Sequence, residues 1–339
     1  MAISKLSLEN FTVFEHTDID FCEGINILIG KNGTGKTHIM KVLYSACQAT
    51  RKDISFSHKL VKVFKPDDLS IKRLARKQGR KTGNTAQIKI ISNGTSLSMS
   101  FSNQTKKWDA EVNGEEKWEK QLENLTSTFI PAKEILSNSW HLEAAVDKNN
   151  VDFDDTYVDI ITSAKIDISQ NNDSNDKGKL LIKLQNIING KVLIEEEKFY
   201  LSQTKPTRIE FNLVAEGIRK IALLWQLINN GALEKGAILF WDEPESNINP
   251  EHIPVLVDLL LELQRNGVQI FISTHDYIFS KYFEVKRNDQ DKVKFYSLYD
   301  SGFGVKCERN EFFKDLKENP IVKAFDKLLD EVYDKHLGE

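Results

Sequence analysis

The stretch that decides the fold is GKNGTGKT, Gly30 to Thr37. A continuous apolar run, Ile25–Ile29, leads into it, and a helical pattern runs out of it from Lys36 to about Gln48. The spacing is G-x-x-x-x-G-K-[ST], with strand before and helix after. Gly30, Gly33 and Gly35 let the backbone close around phosphates, with amides aimed inward at a helix N-terminus. Lys36 then reaches β- and γ-phosphates, and Thr37 offers a hydroxyl to Mg²⁺. Lys31, Asn32 and Thr34 complete the loop and His38 follows it, so residues 30–38 are the expected ATP-binding set. The plainer reading, a glycine turn between a strand and a helix, leaves the lysine and threonine unexplained.

Outward from the loop, two apolar strands end in polar side chains. AILFWDEPESNINP (237–250) ends in paired carboxylates. Beside a phosphate loop, Asp242 is the expected support of the magnesium, and Glu243 the expected base for an attacking water. FISTHD (271–276) ends in His275, on the edge where open α/β sheets bind ligands. A lone histidine is usually structural, so His275 owes its candidacy to that position.

The chain has 339 residues, 40% of them hydrophobic, and a formal net charge of −4, which argues against a globally basic nucleic-acid binder. Three cysteines, Cys22, Cys47 and Cys307, lie far apart, with neither zinc spacing nor an even disulfide framework. With no signal-type segment and no run of about 18 apolar residues, the chain reads as cytoplasmic, with no membrane partner.

The pattern before residue 50 reads strand, strand, loop, helix, and a compact α/β alternation resumes at 208. Between them, two hairpins are expected, turning at Asn93-Gly94 and Asn113-Gly114. A strand stopped by Pro131 and helices near 153–166 and 178–189 follow, with a mobile polar loop, SQNNDSNDKG, between the helices. After 208 come a strand to 213, a helix from the charged turn at 215–220, and a helix over 251–265. A helix from Asp276, a hairpin at 293–308 and a last helix at 321–335 close the chain. The expected division is an ATPase core of residues 1–49 and 208–339 around an inserted lobe, 50–207.

Taken together, the glycine loop, the charged helix start, DEP after one strand and STHD after the next resemble an ABC-type ATPase head. LSLENFTVFEHTDIDFCEGINILIGKNGTGKT is closer still to the start of RecF/SMC/OLD-like ATPases of DNA repair and phage defence. FIPAKEILS, AEGIRK and WDEPESNINP resemble stand-alone bacterial ATPases found in defence loci. The resemblance covers residues 1–49 and 208–282. It implies an α/β P-loop fold with an antiparallel β subdomain and an inserted mixed lobe. It also implies ATP hydrolysis with Mg²⁺ at a head-to-tail dimer interface, Lys36, Glu243 and His275 carrying catalysis, and Thr37 and Asp242 holding the metal.

In such heads a signature helix docks on ATP held by the second subunit. VAEGIRK occupies its place, with Gly217 matching one signature glycine, but Ala215 replaces the serine and Glu216 another glycine. What remains is the helix N-terminus, with Arg219 or Lys220 as a source of positive charge. The sensing glutamine of the family is missing at PAKE, leaving Lys133 or Glu134 as substitutes. The turn Ser246-Asn247-Ile248-Asn249 keeps a serine and swaps an aspartate for Asn249. Phe11 and Phe14 are candidates to face adenine, with core packing the stronger role for at least one.

HKLVKVFKPDDLSIKRLARKQGRKTG (58–83) is basic, with Arg76 and Arg80 at i, i+4 on an expected helix face near Lys72, Arg73 and Lys77. Such a stripe suits phosphate backbones, though charge runs are usually solvated faces. Two services therefore stay open: a defence sensor or scaffold, oligomeric and holding a separate effector such as a nuclease, or a DNA-binding ATPase of repair or chromosome maintenance. A transporter subunit fits poorly with the large insertion and divergent signature.

Overall fold

The computed structural model describes residues 2–77, 85–148, 153–166, 175–204 and 207–337. The chain opens with β1 (Ile3–Phe11), β2 (Phe14–Asp20), β3 (Ile25–Gly30), α1 (Lys36–Gln48) and α2 (Phe56–Phe64). Next come β4 (Thr85–Ser92), β5 (Thr95–Ser102), β6 (Glu111–Asn113), α3 (Glu115–Leu122) and β7 (Ser127–Ile130). The middle holds α4 (Leu142–Asp147), α5 (Asp155–Lys165), α6 (Asn175–Ile188), β8 (Lys191–Glu195), β9 (Lys198–Thr204) and β10 (Thr207–Glu210). The last third is α7 (Glu216–Asn229), β11 (Ile238–Asp242), α8 (Ile253–Arg265), β12 (Gln269–Ser273), α9 (Tyr277–Lys286), β13 (Val293–Asp300), β14 (Val305–Asn310) and α10 (Pro320–Leu337).

The central sheet has the order β14-β13-β3-β12-β11-β7. Every pair in it is parallel except β13–β14. All residues of β3, β11 and β12 are buried, as strands covered on both faces must be, which is why they read as unbroken apolar runs. Alternation sends Ile25, Ile27, Ile29, Leu239, Trp241, Ile270 and Ile272 to one core, with α7 and α8. Leu28, Phe240 and Phe271 go to the other, with α1 and the antiparallel sheet. Phe240 stacks on Phe271 at 5.0 Å, locking neighbouring strands in register. Burial of each such side chain contributes about 1.5–3 kcal/mol. This rigid sheet delivers the ends of β3, β11 and β12 side by side. Among the described residues no helix is long and apolar enough to cross a membrane.

A second sheet, β2-β1-β4-β5-β6, is antiparallel, with β4–β5 turning at Asn93-Gly94. Its composition moves the expected boundary at residue 50. β4 pairs with β1, and β7 pairs with β11 in the central sheet, so residues 85–130 are woven into the core. A third sheet, β10-β9-β8, stands apart; β10 belongs to it and ends at Glu210, where a short 3₁₀ turn replaces the rest of the strand expected to reach 213.

Two expectations about local structure are corrected. Asn113-Gly114 is not a hairpin turn: Gly114 caps α3. The reason is period. Trp118 and Leu122 are buried while Lys120 between them is exposed, which fits a helix face; a strand would turn Lys120 to the same side as both. The basic stretch is not one helix. α2 ends at Phe64 with Lys65 left-handed and Pro66 next, two 3₁₀ turns follow, and Ala75 bridges to Phe11. Arg76 is therefore not helical, and Arg80 and Lys81 lie outside the described residues. The expected mobile loop at 169–178 lies outside them as far as residue 174 and is helical in α6 from Asn175.

Candidate nucleotide site

The loop after β3 turns into α1 through Gly35, whose φ of +88° favours glycine. A Cβ at Gly35 would also lie 2.5 Å from Phe14 Cζ and 2.8 Å from Val13 Cγ2, so the tip of the antiparallel sheet presses on the loop. Lys36 is buried at 6% exposure, and its Nζ donates to the carbonyls of Gly30 at 3.0 Å and Lys31 at 3.1 Å. Burial pulls this ammonium down to about 8, against the pull of Asp242 and Glu243. His38 packs on Phe64 and reaches Thr12 Oγ1 at 3.1 Å, and burial lowers it to about 4, so its ring stays neutral.

The three strand ends converge. Thr37 Oγ1 donates to Asp242 Oδ2 at 3.0 Å, across 205 residues of sequence. Burial raises the Asp242 carboxyl, opposed by hydrogen bonds from Ser273 and Thr37. The hydroxyl and carboxylate are hard oxygen donors of the kind magnesium takes, so the residues present fit that ion. Glu243 Oε1 lies 3.9 Å from His275 Nε2, and both side chains are more than a third exposed. Burial, then Lys36, lowers His275. Behind them Glu245 accepts from Thr274 Oγ1 at 2.6 Å and from the His275 amide at 3.3 Å. Burial lifts Glu245 to about 7.

A cavity of about 850 Å³ opens beside the loop, lined by Lys31, Asn32 and Thr34, by Thr12 and Arg76, and by Tyr299. A second, of about 450 Å³, is lined by Gly30, Asn32, His275 and the first turns of α10. Phe11 and Phe14 face neither cavity: both are fully buried in the core beneath the antiparallel sheet.

The charged helix start is placed differently from the expectation. Ala215 caps α7 with no side-chain hydrogen bond and is exposed. Arg219, expected to serve a ligand, is turned inward: Nε meets Glu134 Oε2 at 2.5 Å, and Nη1 donates to the carbonyls of Phe211 and Val214. The Glu134 side chain is 1% exposed, so it is committed to this pair and not free to stand in for a sensing glutamine; Lys133 is exposed. Lys220 is buried. Gly217 is buried too, and a Cβ there would overlap the Asn247 carbonyl oxygen and lie 3.0 Å from Ile248 Cα. Its glycine is needed for contact within the chain. The Arg219–Glu134 pair had no local sequence signal, since each charge sits beside others, Lys133 in one case and Glu216 and Lys220 in the other.

A family model described as AAA domain, putative AbiEii toxin, Type IV TA system matches residues 96–280, more than half of the chain. The chain belongs to this AAA-domain family. A second model, AAA ATPase domain, matches residues 1–82 of this AAA protein. The DNA replication and repair protein RecF of Francisella tularensis subsp. mediasiatica (strain FSC147) is 29% identical over 108 residues, 29% of this chain and 31% of RecF. RecF of subsp. novicida (strain U112) matches equally. The AAA protein thus spans about a third of the length of these curated relatives. An SMC head bound to the C-winged helix domain of ScpA superposes with a TM-score of 0.61 at 13% identity, over 93% of this chain and 99% of that one. The SMC head with an extended coiled coil from Pyrococcus furiosus, bound to the C-terminal domain of ScpA, gives 0.54 at 10% identity, over 98% and 99%. The fold is that of an ABC-type, SMC-like P-loop head.

Proposed function

We propose that two copies of this ATPase meet head to tail and hydrolyse ATP with Mg²⁺ between them. The observation that carries this is the convergence of Lys36, Thr37, Asp242, Glu243 and His275 at the ends of three adjacent strands. Lys36 exchanges its loop carbonyls for phosphate oxygens. Thr37 and Asp242 would hold the magnesium, which supplies charge neutralisation at those oxygens. Glu243 accepts the proton of a water attacking the γ-phosphorus, the bond to the bridging oxygen breaks, and ADP and phosphate leave. His275 contacts the γ-phosphate. From the second copy, the first turn of α7 brings free amides and a helix dipole, with exposed Ala215 at its tip. Arg219 and Lys220 drop out of that contact because both are occupied within their own chain.

The cycle, in this reading, moves a separate effector protein, as in a defence sensor. Support comes from the family's toxin–antitoxin description and from the fate of the basic stretch. Lys59 pairs with Asp155 and Asp159, Arg73 with Asp67 and Asp68, and Arg76 binds the Val13 and Phe303 carbonyls. Lys59 and Arg76 are thus spent on the fold, and Arg73 sits in an exposed ion pair. The RecF matches favour the other service, on DNA. Co-purification with a neighbouring gene product separates the two: a nuclease-like partner co-eluting in an ATP-dependent way supports the sensor. Salt-sensitive DNA affinity without a partner supports repair or maintenance.

A further inference from the structure

Lys220 is 1% exposed, and its ammonium is spent on a single turn. Nζ donates to the Ser246 carbonyl at 3.0 Å, to Ser246 Oγ at 2.5 Å and to the Glu243 carbonyl at 3.4 Å. Burial lowers this ammonium, opposed by the surrounding carboxylates of Glu216, Glu245, Glu243 and Glu134. A lysine in such a place satisfies its donors on backbone or pays the full loss of hydration.

The turn it grips is strained. Glu243 has φ +48° and Asn247 φ +62°, two left-handed residues that are not glycine within five positions. Such conformers persist where the surroundings over-determine them. Here the Glu243 amide donates to the Ser273 carbonyl at 2.9 Å, and the Glu243 carbonyl accepts from the Ser246 amide at 3.1 Å as well as from Lys220. The carboxylate is thereby aimed at His275, 3.9 Å away. The same turn is touched by α7 a second time, because Gly217 lies against the Asn247–Ile248 backbone.

We infer that Lys220 is a positioning residue, holding Glu243 in its left-handed conformer and tying it to the N-terminus of α7. The inference rests on the head-to-tail reading and deepens it. In that reading the tip of α7 meets the partner's triphosphate, while its first two turns grip this chain's own water-activating turn. Docking on one ATP is thus transmitted to the carboxylate that serves the other, over one helical turn. The route runs through the Ser246–Asn249 turn, where the family's aspartate is replaced by Asn249.

The test is the full chain carrying Lys220→Met, with kcat, KM and the Kd of Mg-ATP measured together. A carboxylate released from its aim lowers kcat by about 10²-fold, while Kd stays within about twofold, because Lys36 and Thr37 are untouched. Ser246→Ala removes one acceptor and leaves the buried lysine its carbonyls. It lowers kcat several-fold without changing KM, and adds nothing to Lys220→Met if both act through the same turn. It also reads the role if the methionine variant fails to fold. If both variants keep wild-type kcat while Glu243→Gln is inactive, Lys220 is plain packing and the reading of Glu243 as the base stands. If Glu243→Gln itself turns over ATP at the wild-type rate, the underlying reading has failed and this one with it.

Discussion

The phosphate loop and the start of α7 each carry a buried lysine, and the two lysines do opposite things. Lys36 is bound by the carbonyls of Gly30 and Lys31, loop residues that line the cavities beside it, so a ligand can take those bonds over. Lys220 is bound by carbonyls of another element and is sealed between them. A free donor set at a helix start invites an anion. A donor set already satisfied across an interface holds two elements together. Charge in a sequence motif therefore says little until the acceptors are known.

The largest effect that sharpens this comparison is Lys36→Ala. It removes the exchangeable ammonium, and isothermal titration should show Mg-ATP affinity lost by roughly one to two orders of magnitude, corresponding to about 1.5–3 kcal/mol for a charge-assisted hydrogen bond. Retained affinity would mean that the loop amides suffice.

Next is Glu243→Gln. An amide cannot take the proton at neutral pH, so phosphate release should fall by about 10²–10⁴-fold with nucleotide still bound. Turnover near wild type would pass the role to another carboxylate, with Glu245 nearest on the same turn.

A smaller effect probes α7. Because Gly217 packs against its own chain, a bulky residue there would disturb the fold before it met any partner. Ala215→Glu is the clean variant: exposed, outside the packing, and negative where a second subunit's phosphates arrive. It should lower turnover roughly 10–100-fold, a coupling of about 1.4–2.8 kcal/mol, with an unchanged melting temperature and unchanged Mg-ATP Kd. Unchanged turnover would make the segment an ordinary helix start.

Smallest is Lys62→Glu with Lys72→Glu, two exposed lysines of the basic stretch. Basal turnover should stay within twofold, since surface substitutions rarely exceed ±0.5 kcal/mol. A loss of salt-sensitive DNA binding in a filter assay would return the stretch to nucleic acid.

Much of the site was legible because it is built from local patterns. Residues 30–37 carry their own geometry, and Asp242 and His275 end apolar runs whose burial forces them onto one sheet edge. What was hidden depends on distant partners. Nothing near Arg219 in sequence announces Glu134, and nothing near Lys220 announces Ser246. The basic stretch was ambiguous because lysine and arginine look alike whether they face water or, like Lys59, a half-buried aspartate pair. Asn113-Gly114 misled because a hairpin and a helix cap share the same glycine; Trp118 and Leu122 with charged Lys120 between them, a pattern a half-buried strand does not make, were the deciding signal. The weaving of β4 and β7 into the core was invisible because a long excursion between paired strands reads as an insertion.

The most direct test of the composite site is mass. Sedimentation velocity of Glu243→Gln should show one species without nucleotide and a doubling of mass with Mg-ATP, while the double variant carrying Ala215→Glu keeps the nucleotide-free mass at the same saturation. If Glu243→Gln binds Mg-ATP fully and its mass does not change, the two copies do not meet over ATP, and the account is contradicted.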